Sequence, residues 1–156
     1  MAGLALSPNF AFLAAEQHLL AEYGTLAERY VFDDPNTALV KLRQFTEVLV
    51  NAAAVRSGLY TSGEESLARL VTRLKDSSVT TDRVHQLLHG LRDAGNKAVH
   101  EGHDVRRDAL HQLKMARHVG VWWYRAFVDL SFKGGPFIAP APPADPTSEL
   151  KAELDA

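Results

Sequence analysis

Apolar residues recur along this chain at intervals of three and four, and no segment sustains the two-residue alternation of a half-buried strand. Ser7-Pro8 offers an N-cap followed by proline at the first helical position. A first helix is therefore expected through Phe12, Leu13, Leu19, Leu20, Tyr23, Leu26 and Ala27, with a break near Gly24. Asp33-Asp34-Pro35 repeats the cap-then-proline device. The stripe Leu39, Leu42, Phe45, Val48, Leu49 and Ala52 follows and closes at Gly58. A shorter helix after Ser62-Gly63 turns Leu67, Leu70, Val71 and Leu74 inward, and Asp76-Ser77-Ser78 reads as a loop. A fourth helix is expected from Thr80 or Thr81 to Gly102. A fifth runs from Asp104 to about Phe132, stopped by Gly134-Gly135-Pro136. The pattern predicts an all-α fold, an up-and-down bundle of about five helices over residues 7–134. Pro140, Pro142, Pro143 and Pro146 then make a stiff, extended tail. The helix start Glu149-Leu150-Lys151-Ala152-Glu153-Leu154 follows them, so residues 135–156 are expected to lead into further domains of a longer polypeptide.

Composition narrows the chemistry. The 156 residues contain no cysteine, which excludes disulfides, thiolate zinc sites and a cysteine nucleophile. The N-terminus lacks the basic start and long apolar run of a signal peptide, and no stretch is apolar enough to span a membrane. A cytoplasmic protein is the expectation. The net charge of −2 argues against a wholly basic nucleic-acid binder but leaves local patches open.

The fourth helix carries the segment that packing alone does not explain, Leu91-Arg92-Asp93-Ala94-Gly95-Asn96-Lys97-Ala98-Val99-His100-Glu101. Glycine inside a helix costs about 1 kcal/mol relative to alanine, and asparagine is a weak helix former. A close backbone approach at Gly95 would offset that cost. At 100° per residue Val84, Leu87, Leu88, Leu91, Gly95 and Ala98 share one face, while His85, His89, Arg92, Asn96 and His100 flank it. Residues at a core edge need polar partners, and Arg43 and Glu47 on the second helix are candidates. The flank is either an interhelical polar network that fixes register or a groove whose Arg92, Asn96 and His100 meet a ligand. Arg, Asn and His suit in-line RNA cleavage, but no second base or nucleophile pairs with His100. His85 and His89 have metal-ligand spacing, yet Gln86 stands where a zinc-protease motif has its Glu. Neither a catalytic residue nor a metal site is assigned.

Cations are unevenly distributed. Six of the seven histidines and eight of the seventeen Lys and Arg residues fall between Thr81 and Arg125. On the fifth helix Arg107, His111, Lys114, His118 and Arg125 line one face, opposite Ala109, Leu113, Ala116, Trp123, Phe127 and Leu130. Such a face is either simply solvated or a ridge that tracks DNA phosphates, which requires only spaced cations. Trp122 and Trp123 are candidate stacking platforms or core residues.

Several motifs occur in an order that resembles a known family. They are Asn9-Phe10-Ala11-Phe12-Leu13, Ala27-Glu28, Asp34-Pro35-Asn36-Thr37 with Lys41, Arg43, Phe45 and Glu47, then Leu91-Arg92, Gly95 to Glu101, and Trp122-Trp123-Tyr124-Arg125. From about Asn9 to Pro140 the chain resembles the helical N-terminal domain of the restriction (R) subunit of type I restriction-modification enzymes, a domain also found on other helicase-like bacterial defence proteins. The resemblance implies a parent in which a nuclease domain and an ATP-driven, Mg-dependent DNA translocase follow this domain. It implies double-stranded DNA and the methyltransferase and specificity subunits as partners, and no membrane. This segment has no phosphate loop, DEAD-type box or nuclease motif, so no cofactor is assigned within it. The domain also resembles, distantly, the HEPN helical superfamily, whose ribonucleases carry Arg-Asn-x-x-x-His. Asn96 and His100 match, but Gly95 holds the arginine position and Arg92 lies one turn earlier. The resemblance implies an accessory domain that docks on DNA or on its partner subunits without catalysis. The alternative is a HEPN-type ribonuclease or nucleotide binder centred on Arg92, Asn96 and His100.

Overall fold

The computed structural model describes residues 3–60, 62–100, 106–142 and 154, with side chains up to residue 98 in the second of these segments. The fold is all-α. Five helices, α1 (His18–Tyr30), α2 (Pro35–Arg56), α3 (Leu67–Asp76), α4 (Asp82–His100) and α5 (Arg106–Phe127), follow a short 3-10 turn at Ala11–Leu13. No strand occurs among the described residues.

Helix α2 is the axis of the bundle. Its buried residues include Ala38, Leu39, Leu42, Phe45, Leu49, Val50, Ala53 and Ala54, which cover about half of its circumference at 100° per residue. An apolar face that broad needs several neighbours to cover it, and α1, α3, α4 and α5 all pack against it. Its start follows the sequence signal, with Asp34 accepting the Thr37 N–H at 3.1 Å and Pro35 in the first turn. By contrast α3 is a short helix with one apolar face, capped by Ser66 and burying Leu67, Leu70, Val71 and Leu74. Helix α4 begins after Thr81, whose hydroxyl accepts the Val84 N–H. Its expected end at Gly102 lies outside the described residues.

Two boundaries differ from the periodic pattern. Ser7-Pro8 does not open a helix running to Ala27. The Ser7 carbonyl closes a turn on Phe10 and Ala11, its hydroxyl donates to Glu28 at 2.9 Å, and α1 begins only at His18. This detour drops Phe10 and Leu13 into the core, where the Phe10 ring rests on Gly24. A Cβ at Gly24 would stand 2.4 Å from that ring, so the glycine admits a neighbour and does not break α1. At the other end α5 stops at Phe127, short of the expected Phe132. Asp129 takes the Ser131 N–H and hydroxyl, which turns the chain so that Phe132 stacks on Phe12 at 4.9 Å. Leu130 consequently leaves the core face and is 85% exposed.

The segment after this turn crosses back over the bundle as a strap. Asn9 pairs with both backbone groups of Ile138, at 2.8 and 2.9 Å. Arg117 donates to the carbonyls of Gly134 and Gly135. Gly135 has φ +70, a conformation that glycine adopts without strain. The expected helix start at residues 149–154 lies, apart from residue 154, outside the described residues.

Candidate functional site

Two groups of polar residues stand out on this frame. The first is a seam between α2 and α4. Gly95 is buried directly over α2, where a Cβ would come within 2.5 Å of Arg43 Cβ and 3.1 Å of the Leu39 carbonyl. The close approach lets Arg43 Nε donate to Asn96 Oδ1 at 2.7 Å, while Arg43 Nη1 meets Glu47 at 3.3 Å. Arg92 turns instead to Asp93, at 3.2 Å, and His89 meets the same carboxylate at 3.3 Å. The His100 side chain lies outside the described residues. Arg43, Glu47 and Asn96 are thus brought together, whereas Arg92 is held apart from Asn96 by its own partner. Among the described residues no three His, Asp or Glu side chains converge as a metal site would require.

The second group is the outer face of α5. Arg107, His111, Lys114, His118 and Arg125 are all exposed there. Arg125 Nε donates to the Phe132 carbonyl at 2.8 Å, so this side chain also fastens the turn after the helix. Two cations from other elements join the row. Arg83 comes from α4 and Lys133 from the strap, and with Lys114, His118 and Arg125 they line a groove of about 730 Å³. Its walls are apolar, formed by Val84, Leu87, Val121, Trp122, Leu130 and Phe137, and no Asp or Glu among the described residues lines it. The groove lies between α4, α5 and the strap, which the buried Arg117 fastens to α5. Arg117 lies over the Phe12 ring at 5.2 Å, and burial lowers its guanidinium below the ordinary arginine range.

Sequence periodicity singled out the α5 row but missed Arg83, Arg117 and Lys133. Arg117 sits on the flank of the helical wheel, and only the glycine carbonyls of a distant segment reveal its role. Trp123 is fully buried, while Trp122 is half-buried and faces the groove.

The electrostatics of the groove are visible at His118. Partial burial, then the neighbouring Arg83, Lys114 and Arg117, push its imidazole below the ordinary histidine value. Lys133 lines the same groove, and no carboxylate among the described residues does. A bound polyanion would relieve that repulsion and favour the imidazolium, so binding should take up a proton. Affinity for a phosphate-bearing ligand is expected to rise as pH falls through the His118 transition, below about 6.5. Binding isotherms at several pH values would check this, and a pH dependence unchanged in His118→Asn would refute it.

The arrangement can hold an anion beside a flat apolar group. It defines a helical-bundle domain with a cation-rimmed groove and a basic outer helix. The chain belongs to the family described as "Domain of unknown function (DUF4145)", whose model matches residues 25–124. It is also 33% identical over 135 residues to the Type I restriction enzyme EcoKI endonuclease subunit of Escherichia coli (strain K12). That match takes in 85% of this chain and 11% of the relative, so the chain spans about a ninth of the relative's length. No solved structure matches the chain.

Proposed function

We propose that this domain is a non-catalytic accessory module of a restriction-type DNA-acting protein, and that it holds the larger assembly on duplex DNA through sequence-independent phosphate contacts. The observation that carries the reading is the continuous cationic face. Lys114 of α5, Arg83 of α4 and Lys133 of the strap border one groove, none of them with a carboxylate partner among the described residues, and His118 adds its charge there when protonated. Phosphate contacts need such spaced, unneutralised cations and no base-reading geometry. The likeness to an endonuclease subunit supplies the setting. Motor and nuclease chemistry, with ATP and Mg, would belong to other parts of that assembly, as would contacts to methyltransferase and specificity subunits.

The test is fluorescence anisotropy with labelled duplexes of unrelated sequence across a salt series. Binding is expected to be similar for all sequences and to weaken steeply with salt. Changing Arg83, Arg107 and Lys114 to Ala should reduce the salt slope by about 2–3, on the scale of about 0.9 per phosphate contact. Arg125 is left intact because its hydrogen bond to Phe132 has a structural role. Absence of binding at low salt, or an unchanged slope in the variant, would leave this face without a DNA role.

A further inference from the structure

The groove has more than phosphate binding requires. A duplex hides its bases, so a ridge that tracks duplex phosphates gains nothing from an apolar cleft. Here the cleft is about 730 Å³, within the size range of small-molecule pockets, and its walls are Val84, Leu87, Val121 and Trp122. The Trp122 ring is held edge-on to Phe127, with centroids 5.9 Å apart and planes at 84°, so its orientation is set before any ligand arrives. Leu130, 85% exposed, stands at the rim where core packing gives no reason for a large apolar side chain. Cations surround this apolar slot, and among the described residues no carboxylate borders it and Arg117 Nε, buried at its edge, has no acceptor.

We infer that the groove receives an unpaired nucleotide of single-stranded DNA, its base stacked on Trp122 and its flanking phosphates on Arg83, Lys114 and Lys133. A nucleotide in a strand combines what the groove combines, a flat apolar ring and anions on either side of it. Stacking on an aromatic platform is indifferent to base identity, and cations that hold phosphates carry no sequence information. The cations of α5 continue beyond the groove along the helix, matching a strand that runs on past the seated nucleotide. An acidic amphipathic peptide would satisfy the charge but would leave the preset indole plane without a purpose. The inference rests on the DNA-docking reading, from which it is separable by experiment.

The test compares an oligothymidylate with a blunt duplex of equal charge, using wild type, Trp122→Ala and Trp122→Phe, with circular dichroism to verify folding. The oligothymidylate is expected to bind more tightly than the duplex. Trp122→Ala should weaken it about tenfold, the loss expected for one stacked base, while duplex affinity stays within about twofold. Trp122→Phe should keep most of the single-strand affinity. In a Trp123→Phe background the single strand should quench the Trp122 fluorescence. Equal affinity for both nucleic acids with no Trp122 dependence would overturn the inference and leave duplex docking standing. Loss of both would remove the two readings together. Trp122-dependent binding of polyglutamate stronger than that of the oligothymidylate would assign the groove to an acidic partner protein, and saturation by thymidine monophosphate at equal affinity would assign it to free nucleotides.

Discussion

Replacing Trp123 by alanine is expected to lower the stability of the domain by about 3–5 kcal/mol, the range for removing a fully buried large aromatic side chain. Trp123 has no exposed surface and lies where three parts of the chain meet. Arg56, at the end of α2, places its guanidinium 4.9 Å above the indole. The same arginine reaches the Phe127 carbonyl at 3.2 Å and Glu16 at 2.8 Å, so it clasps α5 and the N-terminal segment over the ring. Phe127 leans against the other edge, 6.0 Å away. Truncation would therefore leave a cavity and strip the platform beneath a cation at once. The indole Nε1 has no hydrogen-bond partner among the described residues. Phenylalanine should accordingly cost roughly half as much as alanine, since only volume is lost. Urea denaturation of the two variants checks the argument. Equal losses for Phe and Ala would mean that a polar contact of the indole, and not packing, holds this corner. Trp122→Ala, one residue away, should cost roughly 1 kcal/mol, because that ring is half-buried on the groove side.

The contrast between the two tryptophans shows how far the sequence could be read. Helical periodicity placed Trp123 opposite the cationic row of α5, and burial follows from that position. Trp122 falls beside the cationic row, within about 20° of His111 at 100° per residue, and only tertiary packing half-buries it. The start of α2 was legible because its cap is closed locally, within Asp34 to Thr37. Ser7-Pro8 carries the same local signal and means something else. Its polar groups are satisfied by Thr25 and Glu28, some twenty residues on, through Ser7 N–H at 2.9 Å from Thr25 Oγ1 and the Ser7 hydroxyl on Glu28. No window of local sequence contains that competition. The end of α5 had a readable cue in Asp129-Leu130-Ser131, a short side-chain-to-backbone turn that outweighs the apolar period running through Leu130. The α5 cations were visible as a stripe, but the groove was not. It depends on a strap held by Arg117 and Asn9, and those contacts span 17 and 129 residues.

Alanine substitutions at Gly90 and Gly95, two glycines of one helix, are expected to move stability in opposite directions. Taken in isolation each should gain up to about 1 kcal/mol, because alanine is the better helix former and restricts the unfolded chain. At Gly90 nothing opposes that gain. An added Cβ would meet only the Gln112 amide, at 3.8 and 3.9 Å, which is ordinary contact. At Gly95 it would meet Arg43 Cβ at 2.5 Å and the Leu39 carbonyl at 3.1 Å, atoms on or beside the backbone of α2 that cannot swing away. The helices must separate, and the separation would pull Arg43 Nε from Asn96 Oδ1, now 2.7 Å apart. Overpacking of this kind costs about 1–3 kcal/mol, enough to exceed the propensity gain. Gly90→Ala should therefore raise the melting temperature and Gly95→Ala should lower it. The asparagine beside Gly95 then has a physical role that requires no ligand, since its side chain accepts the Arg43 N–H that the close approach brings within reach. A rise in melting temperature for both variants would show that α2 and α4 do not approach closely at Gly95, and would free Asn96 from its structural task.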